Sequence, residues 1–154
     1  MKEISKEQIK EKLTSKGLDV RVGWFYIQFK KKYKEEFVID YINLQNFAEG
    51  LLKFLKNQKI KEILFFPDPT LTFDIPSAFV KTTELKEFLT KNVDTNTNTH
   101  VADINLDWIL TITHEDDFFI SGDKELVKKF ISFFKDANCI PYKKIEAKWN
   151  KKSP

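Results

Sequence analysis

Two histidines and seven carboxylates between Asn92 and Asp123 are the side chains of this sequence best suited to chemistry. They are His100 and His114, with Asp94, Asp103, Asp107, Glu115, Asp116, Asp117 and Asp123. An imidazole beside a carboxylate is the pairing that general acid–base catalysis uses. Imidazoles and carboxylates that converge from different segments also suit zinc, and carboxylates suit harder cations. The metal-ligand candidates are His100 with Asp103, and His114 with Asp116 or its acidic neighbours. On that reading the chain is a metal-dependent hydrolase or nuclease-like enzyme. The spacing matches no H-E-x-x-H pair, calcium loop or Cys/His pair. Strand alternation puts His114 on the face of Trp108, Leu110 and Ile112, where a packed histidine at a strand end is the ordinary outcome. The sequence has four glycines and contains neither a phosphate-binding glycine loop nor a nucleophile elbow. No cofactor is expected.

The same stretch has no lysine or arginine, in a chain with 26 basic residues. Gathered on one face, its carboxylates would set up a negative field that attracts a basic partner. The partner-binding candidates are therefore Asp94, Asp103, Asp107, Glu115, Asp116 and Asp117. The plainer reading makes Asp116 and Asp117 turn residues and Asp123 a helix N-cap.

The function expected from these features is a non-enzymatic protein-binding module. Its concrete form is an immunity-type protein that neutralises a basic toxin through this acidic face, by analogy with a class of small bacterial domains. The enzyme above is the alternative. A weak nucleic-acid or membrane-surface binder is the third reading, using the lysines at 30–34 and in the tail. Of the 26 basic residues only Arg21 is an arginine, which counts against nucleic acid, because bidentate base and phosphate contacts favour arginine.

A length of 154 residues fits one domain, expected over residues 1–142. That body is close to neutral. Residues 143–154 form a basic tail, with Lys143, Lys144, Lys148, Lys151 and Lys152 against Glu146. Trp149 in this tail is a possible anchor for a partner, whereas Trp24 and Trp108 fall in strands and belong to the core. Cys139 is the lone cysteine, so no intramolecular disulfide forms. A reducing, cytoplasmic setting is expected, with Cys139 acting as a small hydrophobe. No apolar run reaches the roughly 18 residues of a membrane helix, and the first residues are charged.

These side chains need elements to position them. Ser5 and Gln8 have the spacing of a capping box, with Ile4 and Ile9 as its staple and Gly17 as a stop. Only Ile9 and Leu13 form a stripe on this helix, which predicts loose packing. Residues 20–29 read as a strand, in a hairpin with Phe37 to Ile42. Asn43 caps a helix on which Leu44, Phe47, Ala48, Leu51, Leu52 and Leu55 recur with helical period, although Gly50 weakens it. Ile60 to Phe66 and Leu71 to Ile75 read as strands, ended by prolines. Thr82 or Thr83 starts a short helix carrying Leu85, Phe88 and Leu89. Residues 94–99 form a polar loop. Trp108 to Thr113 and Phe118 to Ser121 make a hairpin. A helix then carries Leu126, Val127, Phe130, Ile131 and Phe134, and Ile140 to Ile145 add a last strand. This order predicts an α+β fold, with an antiparallel or mixed sheet of about five to seven strands and about four helices packed on it.

Overall fold

The computed structural model describes residues 2–17, 35–40, 43–67, 77–93, 98–113, 118–134 and 137–141. Strand β1 (Lys2–Ile4) leads through Ser5 into helix α1 (Lys6–Ser15). The predicted capping box forms: the Ser5 hydroxyl accepts from Gln8 N at 3.2 Å, and the Gln8 side chain accepts from Ser5 N at 3.0 Å. Helix α2 (Leu44–Asn57) starts at Asn43, whose side-chain oxygen accepts from Asn46 N at 2.8 Å. Ile42, the other half of its expected staple, lies outside the described residues. The helix ends in a Schellman turn. Ile60 N–H donates to Leu55 O at 2.9 Å, and Lys59 N–H donates to Lys56 O at 3.1 Å. The residue turned left-handed there is Lys59, at φ 57°, and not the usual glycine. A β-carbon makes that conformation cost about 1 kcal/mol or more.

The remaining strands are β2 (Glu35–Asp40), β3 (Glu62–Pro67), β4 (Ser77–Lys81), β5 (Thr99–Ala102), β6 (Trp108–Ile112), β7 (Phe118–Gly122) and β8 (Asn138–Pro141). Helix α3 (Leu85–Asn92) follows a 3-10 turn at Thr82–Glu84, and α4 (Lys124–Ile131) follows β7. The eight strands of the described residues join one sheet in the order β1-β4-β3-β5-β6-β7-β2-β8. Every neighbouring pair is antiparallel. The expected α+β class with an antiparallel sheet is what the chain adopts. Strand β2 pairs with β7 on one side and β8 on the other; its expected hairpin partner at residues 20–29 lies outside the described residues. Residues 20–34, the expected strand at Leu71 to Ile75, and the tail at 143–154 lie outside the described residues. Thr82 does not cap a helix. Its hydroxyl donates to Ile60 O at 2.8 Å, tying the start of α3 to the end of α2.

Alternation divides the sheet's side chains between two buried faces. One face carries Phe65, Val101, Trp108, Leu110, Phe118 and Ile120 against α2, α3 and α4. Phe54 of α2, buried here and absent from the predicted stripe, lies edge-on to Trp108 at 5.7 Å and to Phe130 at 5.0 Å. The other face carries Leu64, Phe66, Ala102 and Ile109, with Ile9 and Leu13 of α1 packed on them. Both α1 residues are buried, at 1% and 0% exposure, so the expected loose packing of this helix is overturned. Two large apolar side chains suffice, because each contributes about 1.5–3 kcal/mol when fully buried.

Gly50 has a packing reason to be glycine. A β-carbon there would meet the Phe134 ring, with Cζ at 2.7 Å. Phe134 is itself held between Phe47 and Phe130. Gly50→Ala therefore trades about 1 kcal/mol of helix propensity against an overpacking cost of about 1–3 kcal/mol. The expected outcome is a lower urea midpoint than the wild type. A rise in the midpoint would show that Phe134 has room to move aside.

Candidate functional site

Five residues joining β5 to β6 form the most specifically built surface turn among the described residues. The Asp103 carboxylate accepts from Asn105 N at 2.9 Å, and its carbonyl accepts from Leu106 N at 2.8 Å. Asp103 N–H donates to Trp108 O at 3.3 Å and closes the turn. Leu106 stands left-handed at φ 58°. Its side chain is buried in the cluster beneath α1, which offsets the cost of that conformation. With Leu106 pinned inward, Ile104 points out. It is the exposed large hydrophobic residue among those described, at 38%.

Acidic groups flank this tip. The Asp107 side chain is 63% exposed. Trp108 pairs with Gly122 across β6 and β7, so Asp107 and Asp123 leave the sheet at the same end. A β-carbon at Gly122 would lie 3.0 Å from Trp108 Cβ, so this close approach depends on glycine. Asp123 occupies the N-cap position of α4, but its side chain makes no capping hydrogen bond, contrary to the expected cap role. The carboxylate stays at the surface.

Helix α1 also tempers the acidity. Lys16 Nζ lies 3.6 Å from Asp107 Oδ1, and Lys12 Nζ donates to Ile104 O at 3.5 Å. Both lysines precede the residues they contact by some 90 positions, so the gap in basic residues along the chain is not a gap in space. Asp103, Asp107 and Asp123 gather at one end of the β6–β7 hairpin. Ile112 and Phe118 pair at the other end. Those ends are about 13 Å apart at about 3.3 Å per residue. Asp94, His114, Glu115, Asp116 and Asp117 lie outside the described residues.

His100 belongs to the core. It is 1% exposed, on the α1 side of the sheet, in a cross-strand row of Phe66, His100, Thr111 and Phe119. Its Nδ1 lies 2.9 Å from Thr111 Oγ1, and its ring lies 5.0 Å from that of Phe66. Asp103 is past the strand end and engaged in its own turn, so the expected His100–Asp103 pairing does not form as a metal site. Among the described residues, no three His, Cys, Asp or Glu side chains converge on a point where a metal ion would sit. Cys139, in β8, is half-buried against the helix-side core, and this burial pushes its thiol above the usual range.

Comparison with protein-family models, curated proteins and solved structures gives no match. No helix among the described residues is long and apolar enough to cross a membrane. Composition and motif searching single out the carboxylates of this site but miss Ile104. The signal was an apolar residue between two aspartates in a turn, which gains meaning only when Leu106 is seen to be buried.

Two outcomes follow from these side chains. Thr111→Val removes the partner of His100 Nδ1 inside the sheet, and stability is expected to fall by about 1–3 kcal/mol in urea denaturation. A loss below about 0.5 kcal/mol would mean that the pair contributes nothing specific. Cys139, with its raised pKa, holds less thiolate than a free cysteine at about pH 8. Its alkylation by iodoacetamide in the folded protein is expected to be several-fold slower than that of a model thiol. Equal rates would contradict this placement.

Proposed function

We propose that this protein is a non-enzymatic protein-binding module that presents the 103–107 turn to a basic partner. The observation that carries the reading is Ile104, an exposed apolar side chain on a turn fixed by hydrogen bonds and by burial of Leu106. A rigid apolar anchor loses little entropy on binding. A surrounding rim of carboxylates favours a positively charged surface and speeds encounter with it. Asp103, Asp107 and Asp123 supply that rim and outnumber Lys12 and Lys16, which α1 sets beside it. The concrete form of the reading is an immunity-type protein that covers a basic toxin. Its support is the charge and shape of this one end of the sheet.

Site-specific photocrosslinking in the native lysate tests the reading directly. A photoreactive residue at position 104 is expected to trap a basic protein, and one at Glu87, on α3, is expected not to. Asp107→Lys combined with Asp123→Lys should abolish the crosslink while leaving the thermal unfolding midpoint within a few degrees. Equal trapping from both positions, or a crosslink that survives the double charge reversal, would remove the turn from the binding surface.

A further inference from the structure

The other face of the same sheet end carries a groove of opposite charge. It lies where the end of α2, the start of β3 and the end of β4 meet, and encloses about 870 Å³. Leu52 and Ile60 form its apolar floor, and both are partly buried against the helix-side core. Lys56, Lys59, Lys61 and Lys81 stand around it, with Glu62 as the single acidic residue of its lining. Glu62 and Lys81 are cross-strand partners, so β3 and β4 deliver their charges to the same rim. Among the described residues, none of these four lysines forms an ion pair.

Two features separate this groove from an ordinary solvated lysine patch. The floor is apolar, and lysine stems extend such a surface while their ammonium groups stay in water. Lys59 is also held left-handed at the C-terminal turn of α2, where glycine fits without strain. The strained residue places one more cation at the rim.

We propose that this groove binds an acidic peptide segment that carries an apolar side chain. The four ammonium groups match carboxylates on either side of that side chain, and Leu52 and Ile60 receive it. A purely anionic ligand would leave the floor unused. Nucleic acid would gain no aromatic side chain from this lining on which to stack a base. The site is independent of the Ile104 turn, which shares this end of the sheet but lies toward the α1 face.

The test is fluorescence anisotropy with a labelled octapeptide of glutamate pairs separated by leucines, titrated with the full chain at low salt. Binding is expected with a Kd below about 1 mM, at least tenfold tighter than for a leucine-free glutamate peptide. Lys56→Glu with Lys81→Glu should weaken it at least tenfold. Lys59→Gly should weaken it about two- to fivefold, the range of one exposed ion pair, while raising the thermal midpoint by relieving the left-handed lysine. The Lys59→Gly variant keeps the test sound if the double variant folds poorly. Equal affinity for the leucine-free peptide would overturn the proposal in favour of plain charge attraction. Unchanged binding in Lys59→Gly, or no binding of the leucine peptide, would also overturn it. Sedimentation with phosphatidylglycerol vesicles but no peptide binding would reassign the groove to a membrane surface. Ile104→Ala should leave peptide binding unchanged, so failure here and failure of the turn as a binding surface remain distinguishable.

Discussion

Phe47 stacks on Phe118 at 4.0 Å, while Phe54, two turns along α2, lies edge-on to Trp108 and Phe130. The rest of the structure depends on these contacts. They join α2 at once to the two ends of the β6–β7 hairpin and to α4. Aromatic pairs of this kind add about 0.5–1.5 kcal/mol each beyond the area they bury. They also fix direction, because a ring has few rotamers and a long reach. With α2 held in this way, its C-terminal turn must fall beside the start of β3 and the end of β4, which is where the lysine groove lies. Trp108 and Gly122 are held against each other below Phe54, and this brings Asp107 next to Asp123.

A sheet covered on both faces has a second constraint. Both alternate sets of side chains along β3, β5 and β6 must be apolar or satisfied in pairs. Leu64, Phe66, Ala102 and Ile109 meet it by burial beneath α1. His100 and Thr111 meet it by bonding to each other across the strand pair. His100, a metal-ligand candidate in the sequence, is thus used to fill an interior position. Of the acidic stretch, Asp107 and Asp123 leave the sheet at one end, and α1 returns lysines to that end.

Local chemistry was legible wherever a residue acts on its near neighbours. The capping box of Ser5 and Gln8 and the cap at Asn43 form as their spacing predicts, because a helix start is decided within four residues. The stripe on α2 and the alternation of Trp108 to Ile112 were legible for the same reason. Strands β1 and β5 were not, because three or four residues give too short a pattern to tell from a loop. The partners of β2 were also illegible, since pairing with residues as distant in the chain as Phe118 and Pro141 leaves no local trace. Gly50 read as a weakness in its helix, yet it is the position at which Phe134 crosses α2.

The sequence by itself determined the α+β class, the capped starts of α1 and α2, most of the core and the charge of each segment. Those properties follow from composition, periodicity and contacts between near neighbours. The tertiary structure decided which of the charged and titratable residues share a place. It buried His100, set Lys16 on Asp107, turned Ile104 outward by pinning Leu106 inward, and drew four lysines from α2, the turn that follows it and β4 around Leu52 and Ile60. The physical reason is that a site is made by residues distant in the chain. Their meeting is fixed by how helices and strands bury their apolar faces, not by the polar residues that end up at the surface.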